Sequence, residues 1–275
     1  MLHLAVMQGR LSPPEDNRIQ CFPRLAWRDE FPRTVEAGIP AIEWIDDTYG
    51  ADINPLRTKA GIKELQKLMK QHGVSIPSIC ADSFMEEPLI RCTDAQRDER
   101  LKLLEHLFRQ AKLLGAHHIG IPLLDNSALK NVEEIEVMAA ALLKMIPILE
   151  ELQMELHLET SLSPKEFPIL LWKLPHPLIR VTYDTGNSAS LGYDPHEEFS
   201  AYGSRIGSVH IKDRKRGGGT VALGTGDTDF EAVAEELEKI EFKGLFTLQA
   251  ARGNNSAETS HMRGCKEFAE SIFGT

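Results

Sequence analysis

Residues Val181–Phe230, VTYDTGNSASLGYDPHEEFSAYGSRIGSVHIKDRKRGGGTVALGTGDTDF, hold two short apolar strands, each ending near a potential metal ligand. VTYD stops at Asp184 and runs into Thr185-Gly186-Asn187, whereas SVHIKD carries His210 and runs into a basic, glycine-rich loop. As parallel neighbours in one barrel, the two strands would project Asp184 and His210 from the same rim. That is the rim on which such folds place their chemistry.

Outward from this stretch the same strand-then-helix unit recurs. Short apolar runs predict strands at Leu2–Met7, Ala41–Ile45, Val74–Cys80, His118–Pro122, Met154–Glu159, Gly207–Lys212 and Leu245–Gln249, besides the one ending at Asp184. Between them, 3–4 spacing and terminal signals predict helices over Glu30–Ala37, Thr58–His72, Asp94–Leu114, Asn131–Glu150, Pro164–Leu174, Pro195–Tyr202 and Asp229–Ile240. A last helix runs to about Phe273. Thr228 and Glu231 stand in capping-box relation before the helix at Asp229, as do Asn131 and Glu134. The loop QGRLSPPEDNRIQCFP after the first strand is longer than a normal βα connection, a length typical of functional loops or lids.

Eight alternations without a linker or composition break predict an α/β chain forming a single (β/α)8 TIM barrel, one domain over residues 1–275. The length fits, since such a barrel needs roughly 250 residues. An open doubly wound sheet is the alternative, because periodicity does not report closure.

Composition narrows the function. Hydrophobic residues at 42% and charged residues at 26% are those of a soluble globular protein with ample core. A net charge of −10 argues against a nucleic-acid partner, which needs clustered Lys and Arg. Cys21, Cys80, Cys92 and Cys265 are scattered and form no CxxC pair, which predicts free thiols in a reducing, cytoplasmic setting. The run MLHLAVMQGR is too short in apolar residues for a secretory leader. Lys144 and Pro147 break the longest apolar stretch, so no membrane span is expected.

Four strand ends thus present Glu159, Asp184, His210 and Gln249. Oxygen and nitrogen donors of these kinds suit one divalent metal ion such as Mn²⁺, Zn²⁺, Co²⁺ or Mg²⁺. Each has an ordinary structural alternative. Glu159 alone could be a solvated carboxylate, DTGN an Asx-type turn, and His210 a hydrogen-bonded core histidine. Glu43, a charge inside an apolar strand, either faces the active rim or pairs with an interior Arg or His. His118 and His157 are open in the same way. The basic run Lys212-Asp213-Arg214-Lys215-Arg216 before three glycines could hold an anion or be a solvated loop, and Arg252 is a second candidate anion contact. LGTGDTDF lacks the third glycine and the lysine of nucleotide loops, so nucleotide binding is rejected.

Glu159 ending HLE, DTGN at 184–187, HIKD at 210–213 and LGTGDTDF at 223–230 together resemble the xylose isomerase-like barrel superfamily, over essentially the whole chain. The resemblance implies sugar or sugar-phosphate isomerases and epimerases in which Glu, Asp, His and Glu at strand ends hold one divalent metal. The two glutamates exchange protons with the substrate carbon, and the metal polarises its oxygens as a Lewis acid for an enediolate. By resemblance Glu159 is the first glutamate, both ligand and general base, and Asp184 and His210 are the middle ligands. An arginine six residues after the histidine reaches the substrate, the place of Arg216 here. Glu43, His118, Asn187, Lys212 and Arg252 complete the candidate substrate contacts.

The departure is Gln249, which stands where the second glutamate belongs. Its amide oxygen can ligate a hard cation, but the amide cannot gain or lose a proton near neutral pH. A two-base epimerisation needs an acceptor and a donor. The expectation is a metal-dependent isomerase or epimerase of a small sugar or sugar phosphate. The alternatives are a dehydratase or lyase acting on a keto-sugar or keto-polyol, or a barrel that only binds sugar. Barrels of this kind often pair, so a homo-oligomer is possible. The superfamily's DNA-repair endonucleases fit poorly with the acidic charge.

Overall fold

The computed structural model describes residues 2–253 and 257–274. Eight parallel strands close into a barrel: β1 (Leu4–Met7), β2 (Ala41–Ile45), β3 (Ser75–Cys80), β4 (His118–Leu123), β5 (Glu155–Thr160), β6 (Ile179–Asp184), β7 (Ile206–Ile211) and β8 (Leu245–Leu248). Neighbours in sequence are neighbours in space, and β1 pairs with β8 to complete the ring. Helices surround it, giving a (β/α)8 TIM barrel. No described helix is long and apolar enough to cross a membrane.

Most strand boundaries lie within two residues of those the sequence predicts. Two helices differ. The run expected over Asn131–Glu150 is two helices, Val132–Leu143 and Ile146–Leu152. Pro147, without an N–H, sits in the first turn of the second, the place where a helix tolerates it. The second difference follows β6. DTGN opens a seven-residue helix, Thr185–Leu191, with Asp184 as its N-cap accepting from the Asn187 N–H at 2.8 Å. The expected Thr228 cap is also displaced by one residue. Asp229 caps the helix Phe230–Lys239 by accepting from Ala232 N–H, while the Thr228 hydroxyl turns toward backbone carbonyls of Thr185 and Lys212.

The strands are apolar on one side and polar on the other. Ile42, Trp44, Ile79, Ile119, Leu156, Leu158, Val181, Tyr183, Val209, Ile211 and Leu248 are buried in the main hydrophobic core. Their alternating partners Glu43, Ser78, His118, His157, Glu159, Thr182, Asp184, Ser208, His210 and Thr247 are equally buried and fill the barrel. Register keeps them in tiers: Thr182 pairs with Ser208, Asp184 with His210, and Thr247 with His210. A polar interior costs free energy unless its groups find partners. In the lower tier, His157 is held between Ser208 Oγ and Glu155 Oε2, each at 2.8 Å. Its ring stacks on His118 at a centroid distance of 3.9 Å. Gly207 makes room for it, since a Cβ there would come within 2.5 Å of the ring.

The long connection 8–29 is anchored rather than loose. Phe22 and Trp27 pack on Trp44 with centroids 5.8 and 5.9 Å apart. Glu30 accepts from Gly9 N–H and Ser12 Oγ at 2.8 and 2.7 Å, and Asp47 accepts from Phe22 N–H. Arg10 donates to Ala250 O and Ile19 O, and Arg252 to Gly9 O, Ser12 O and Ile19 O, so two arginines staple this loop to the chain after β8.

Candidate metal centre

At the C-terminal end of the barrel Glu159, Asp184 and His210 come together from β5, β6 and β7. One donor atom of each lies within 4.8 Å of the other two. All three are nearly inaccessible, at 5%, 5% and 2% exposure. Desolvation at this level makes every charge here interact strongly with its neighbours.

His210 is oriented by its neighbours. Its Nε2 lies 3.1 Å from Glu43 Oε1, and Glu43 Oε2 in turn accepts from the Thr247 hydroxyl. A carboxylate on one ring nitrogen fixes the ring and leaves the other to a metal. That other nitrogen, Nδ1, faces Glu159 Oε2 at 3.3 Å without an aligned hydrogen bond. Burial favours the neutral ring, but the charges of Glu43 and Glu159 outweigh it and hold the imidazole well above its ordinary range. Burial likewise pushes Glu43 up, and the His210 charge more than offsets this, leaving Glu43 below the usual carboxylate range.

Asp184 divides its oxygens. Oδ1 caps the helix at Asn187 and Oδ2 sits 2.9 Å from Lys212 Nζ. Burial raises its pKa, but the Lys212 and His210 charges together bring it below the ordinary value. Glu159 is fixed through Oε1, which accepts from Asn187 Nδ2 at 2.6 Å. Asn187 is positioned in turn by Arg214, whose Nη1 donates to its Oδ1 at 2.9 Å.

Gln249 follows β8, two residues beyond Thr247 and so one step nearer the mouth. Its Nε2 donates to Gln20 Oε1 at 2.9 Å, and its buried Oε1 meets no hydrogen-bond partner. Buried polar atoms are normally satisfied. Two that are not, His210 Nδ1 and Gln249 Oε1, belong to the residues singled out as strand-end donors. Two carboxylates and an imidazole within 4.8 Å of one another are a donor set that fits a divalent cation, and Lys212 Nζ lies against one of them, Asp184.

The other candidates scatter. His118 lies at the opposite, N-terminal end, where it helps line a cavity of about 680 Å³ with Arg180 and Lys243. Arg252 is engaged with the anchored loop. Arg216 is exposed and lies against Gly192, whereas Arg214 points inward to Asn187. The basic run forms a short antiparallel ribbon, Asp213–Arg214 with Thr220–Val221, and Arg214 also donates to Gly218 O. Asp213 explains why HIKD and LGTGDTDF occur together. Its carboxylate accepts from Gly226 N–H at 2.7 Å and from Thr228 N–H at 3.2 Å, so one motif clasps the other.

Sequence inspection missed Gln20 and Asp82. Gln20 reaches over the mouth from the long loop, accepting from Gln249 and Arg10 and donating to Asp82 Oδ2 at 2.8 Å. Asp82 stands two residues beyond β3, a strand-end position of the kind that drew attention to Glu159, Asp184 and His210.

Residues 31–268 match the family model described as xylose isomerase-like TIM barrel. The chain belongs to that family. A curated relative within reach is the putative L-ribulose-5-phosphate 3-epimerase SgbU of Escherichia coli (strain K12), 24% identical over 239 residues, covering 82% of this chain and 84% of the relative. Solved structures share the xylose isomerase-like architecture at low identity. The IOLI protein with a binding zinc atom superposes with a TM-score of 0.78 at 15% identity, covering 99% and 98% of the two chains. An L-ribulose 3-epimerase superposes at 0.77 and 16%, covering 100% and 95%. The D-psicose 3-epimerase of Clostridium cellulolyticum H10 with D-tagatose superposes at 0.77 and 13%, covering 99% of each.

Proposed function

We infer that this chain is a divalent-metal-dependent isomerase or epimerase of a small ketose or ketose phosphate, working in the cytoplasm. The observation that carries this is the convergence of Glu159, Asp184 and His210 at the C-terminal end of the barrel, with His210 Nδ1 left without an aligned hydrogen bond. The curated relative's name supports the sugar-phosphate class.

Glu159, Asp184, His210 and Gln249 would hold the ion. When bound it supplies Lewis acidity to the oxygens of the substrate carbonyl and its neighbouring hydroxyl. Glu159 takes the proton from the carbon beside the carbonyl, and the C–H electron pair moves toward the carbonyl oxygen to give the enediolate. Asn187 holds the Glu159 carboxylate in one orientation, with Arg214 behind it. Glu43 and Thr247 keep His210 from turning. Near-complete burial excludes water from this step.

A second reading, dehydration of a keto-polyol, is favoured by Gln249 alone, since elimination needs one base where epimerisation needs two carriers. The test is elemental analysis of protein purified without chelator, followed by turnover of ketoses with product mass. About one divalent ion per chain, lost in Asp184→Ala, and a product of unchanged mass support isomerisation. A product lighter by one water selects the second reading, and a chain that takes up no metal sinks both. Glu159→Gln abolishes turnover, and retained activity removes it from the mechanism.

A further inference from the structure

Gln249 leaves the site short of a group that can carry a proton to the second face of the reacting carbon. The hydrogen-bond chain that starts at Gln249 leads to a group that can. Gln249 Nε2 donates to Gln20 Oε1, and Gln20 Nε2 donates to Asp82 Oδ2. This bridge crosses the barrel mouth from β8 to β3, over the ends of β1 and β2.

Asp82 is an unusual carboxyl. It is 5% exposed at the catalytic end of the barrel, yet no Lys, Arg or His pairs with it among the described residues. Its partners are the Gln20 amide and the Cys80 thiol, the latter 3.2 Å from Oδ1. Other buried carboxylates here have a cation or several donors: Asp46 has Arg57 and Ser83, and Glu198 has two tyrosines and a serine. A charged group buried without a counter-ion is costly and concentrates at functional sites. Burial, with contributions from Asp47 and Glu159, raises Asp82 to about 6. A carboxyl in that range exists in both protonation states near neutral pH, as a group that both takes and gives protons must.

We propose that Asp82 is a catalytic residue of this chain, the second proton carrier in place of the glutamate that Gln249 replaces. The proposal rests on the epimerase reading above and completes it. In one direction Glu159 removes the proton and the enediolate forms. The Asp82 O–H bond then breaks, its proton forms a C–H bond on the other face using the enediolate π pair, and the carbonyl is restored. Glu159 ends protonated and Asp82 ionised; both exchange with solvent before the next turnover. The reverse direction exchanges their roles, and no other reactant is needed.

The test uses full-length Mn²⁺-loaded protein in D2O with L-ribulose, D-fructose and L-ribulose 5-phosphate, following inversion and deuterium uptake by NMR. In Asp82→Asn, inversion falls at least about a hundredfold, the scale of lost acid–base catalysis. Deuterium uptake into the unreacted ketose, which Glu159 alone performs, stays within about threefold, and Asp82→Glu recovers part of the inversion. A Mn²⁺ titration matching wild type shows that the Asn variant is folded with its metal centre intact. Inversion retained within about tenfold in Asp82→Asn overturns the proposal. So does a parallel loss of inversion and uptake, which would make Asp82 structural. Wild-type protein that inverts and exchanges none of the three ketoses overturns the epimerase reading and Asp82's role with it. Failure of the variant's prediction with an active wild type removes Asp82 alone.

Discussion

Glu43 Oε1 stands 3.1 Å from His210 Nε2, joining residues 167 positions apart across the barrel interior. The contact decides between the two readings of Glu43. Glu43 is the buried partner that fixes a histidine, whose other nitrogen, Nδ1, lies 3.3 Å from Glu159 Oε2.

Glu43→Gln keeps a hydrogen-bonding side chain but removes the charge behind the ring. Loss of such a partner weakens metal binding by roughly 10–100-fold. Calorimetric titration with Mn²⁺ or Zn²⁺ measures it. Unchanged affinity would show that Glu43 does not act through His210.

Gln249→Glu adds a negative donor where an unpartnered amide oxygen now sits. Affinity of hard-cation sites rises with ligand charge, so binding tightens by on the order of tenfold. An affinity that stays level or falls places residue 249 outside the metal shell.

Asp82 carries a stability cost that depends on pH. Burial pushes its carboxyl in the folded chain up to about 6, above the ordinary aspartate range. The folded state therefore binds the proton more tightly, and its stabilising effect is full below the unfolded pKa and lost as pH rises through about 6. Relative to Asp82→Asn, wild type gains about 1–2 kcal/mol between pH 8 and pH 5. Urea denaturation with chelator at both pH values measures the difference. A gap that does not change with pH would show an ordinary carboxylate.

Gly226→Ala places a Cβ 1.9 Å from Asp213 Oδ1 and breaks the clasp between the two motifs. The backbone must shift, at a cost of about 1–3 kcal/mol. The melting temperature falls accordingly, and Asp213→Asn, which weakens the clasp without a clash, falls less. Wild-type stability in Gly226→Ala would mean that the ribbon moves freely.

The βα alternation, the apolar outer face of each strand and three strand-end donor candidates were legible in the sequence because they are local, whereas closure into a barrel was not, since periodicity does not report it. A strand of alternating type declares its two faces, and Glu159, Asp184 and His210 stand at strand ends that any parallel barrel brings to one rim. Asp184 was legible as a donor but not as a helix cap, since DTGN suits a turn as well as a first helical turn. What only the tertiary structure decided depends on pairs far apart in the chain. Whether Glu43 faced the rim or a partner turned on register between β2, β8 and β7. Arg214 rather than Arg216 reaches Asn187 because the basic run folds back as a ribbon. Gln20 and Asp82, 62 residues apart, meet over the mouth because an anchored loop carries one across to the other. Sequence periodicity fixes which way a side chain faces; it does not say which distant side chain it will meet there.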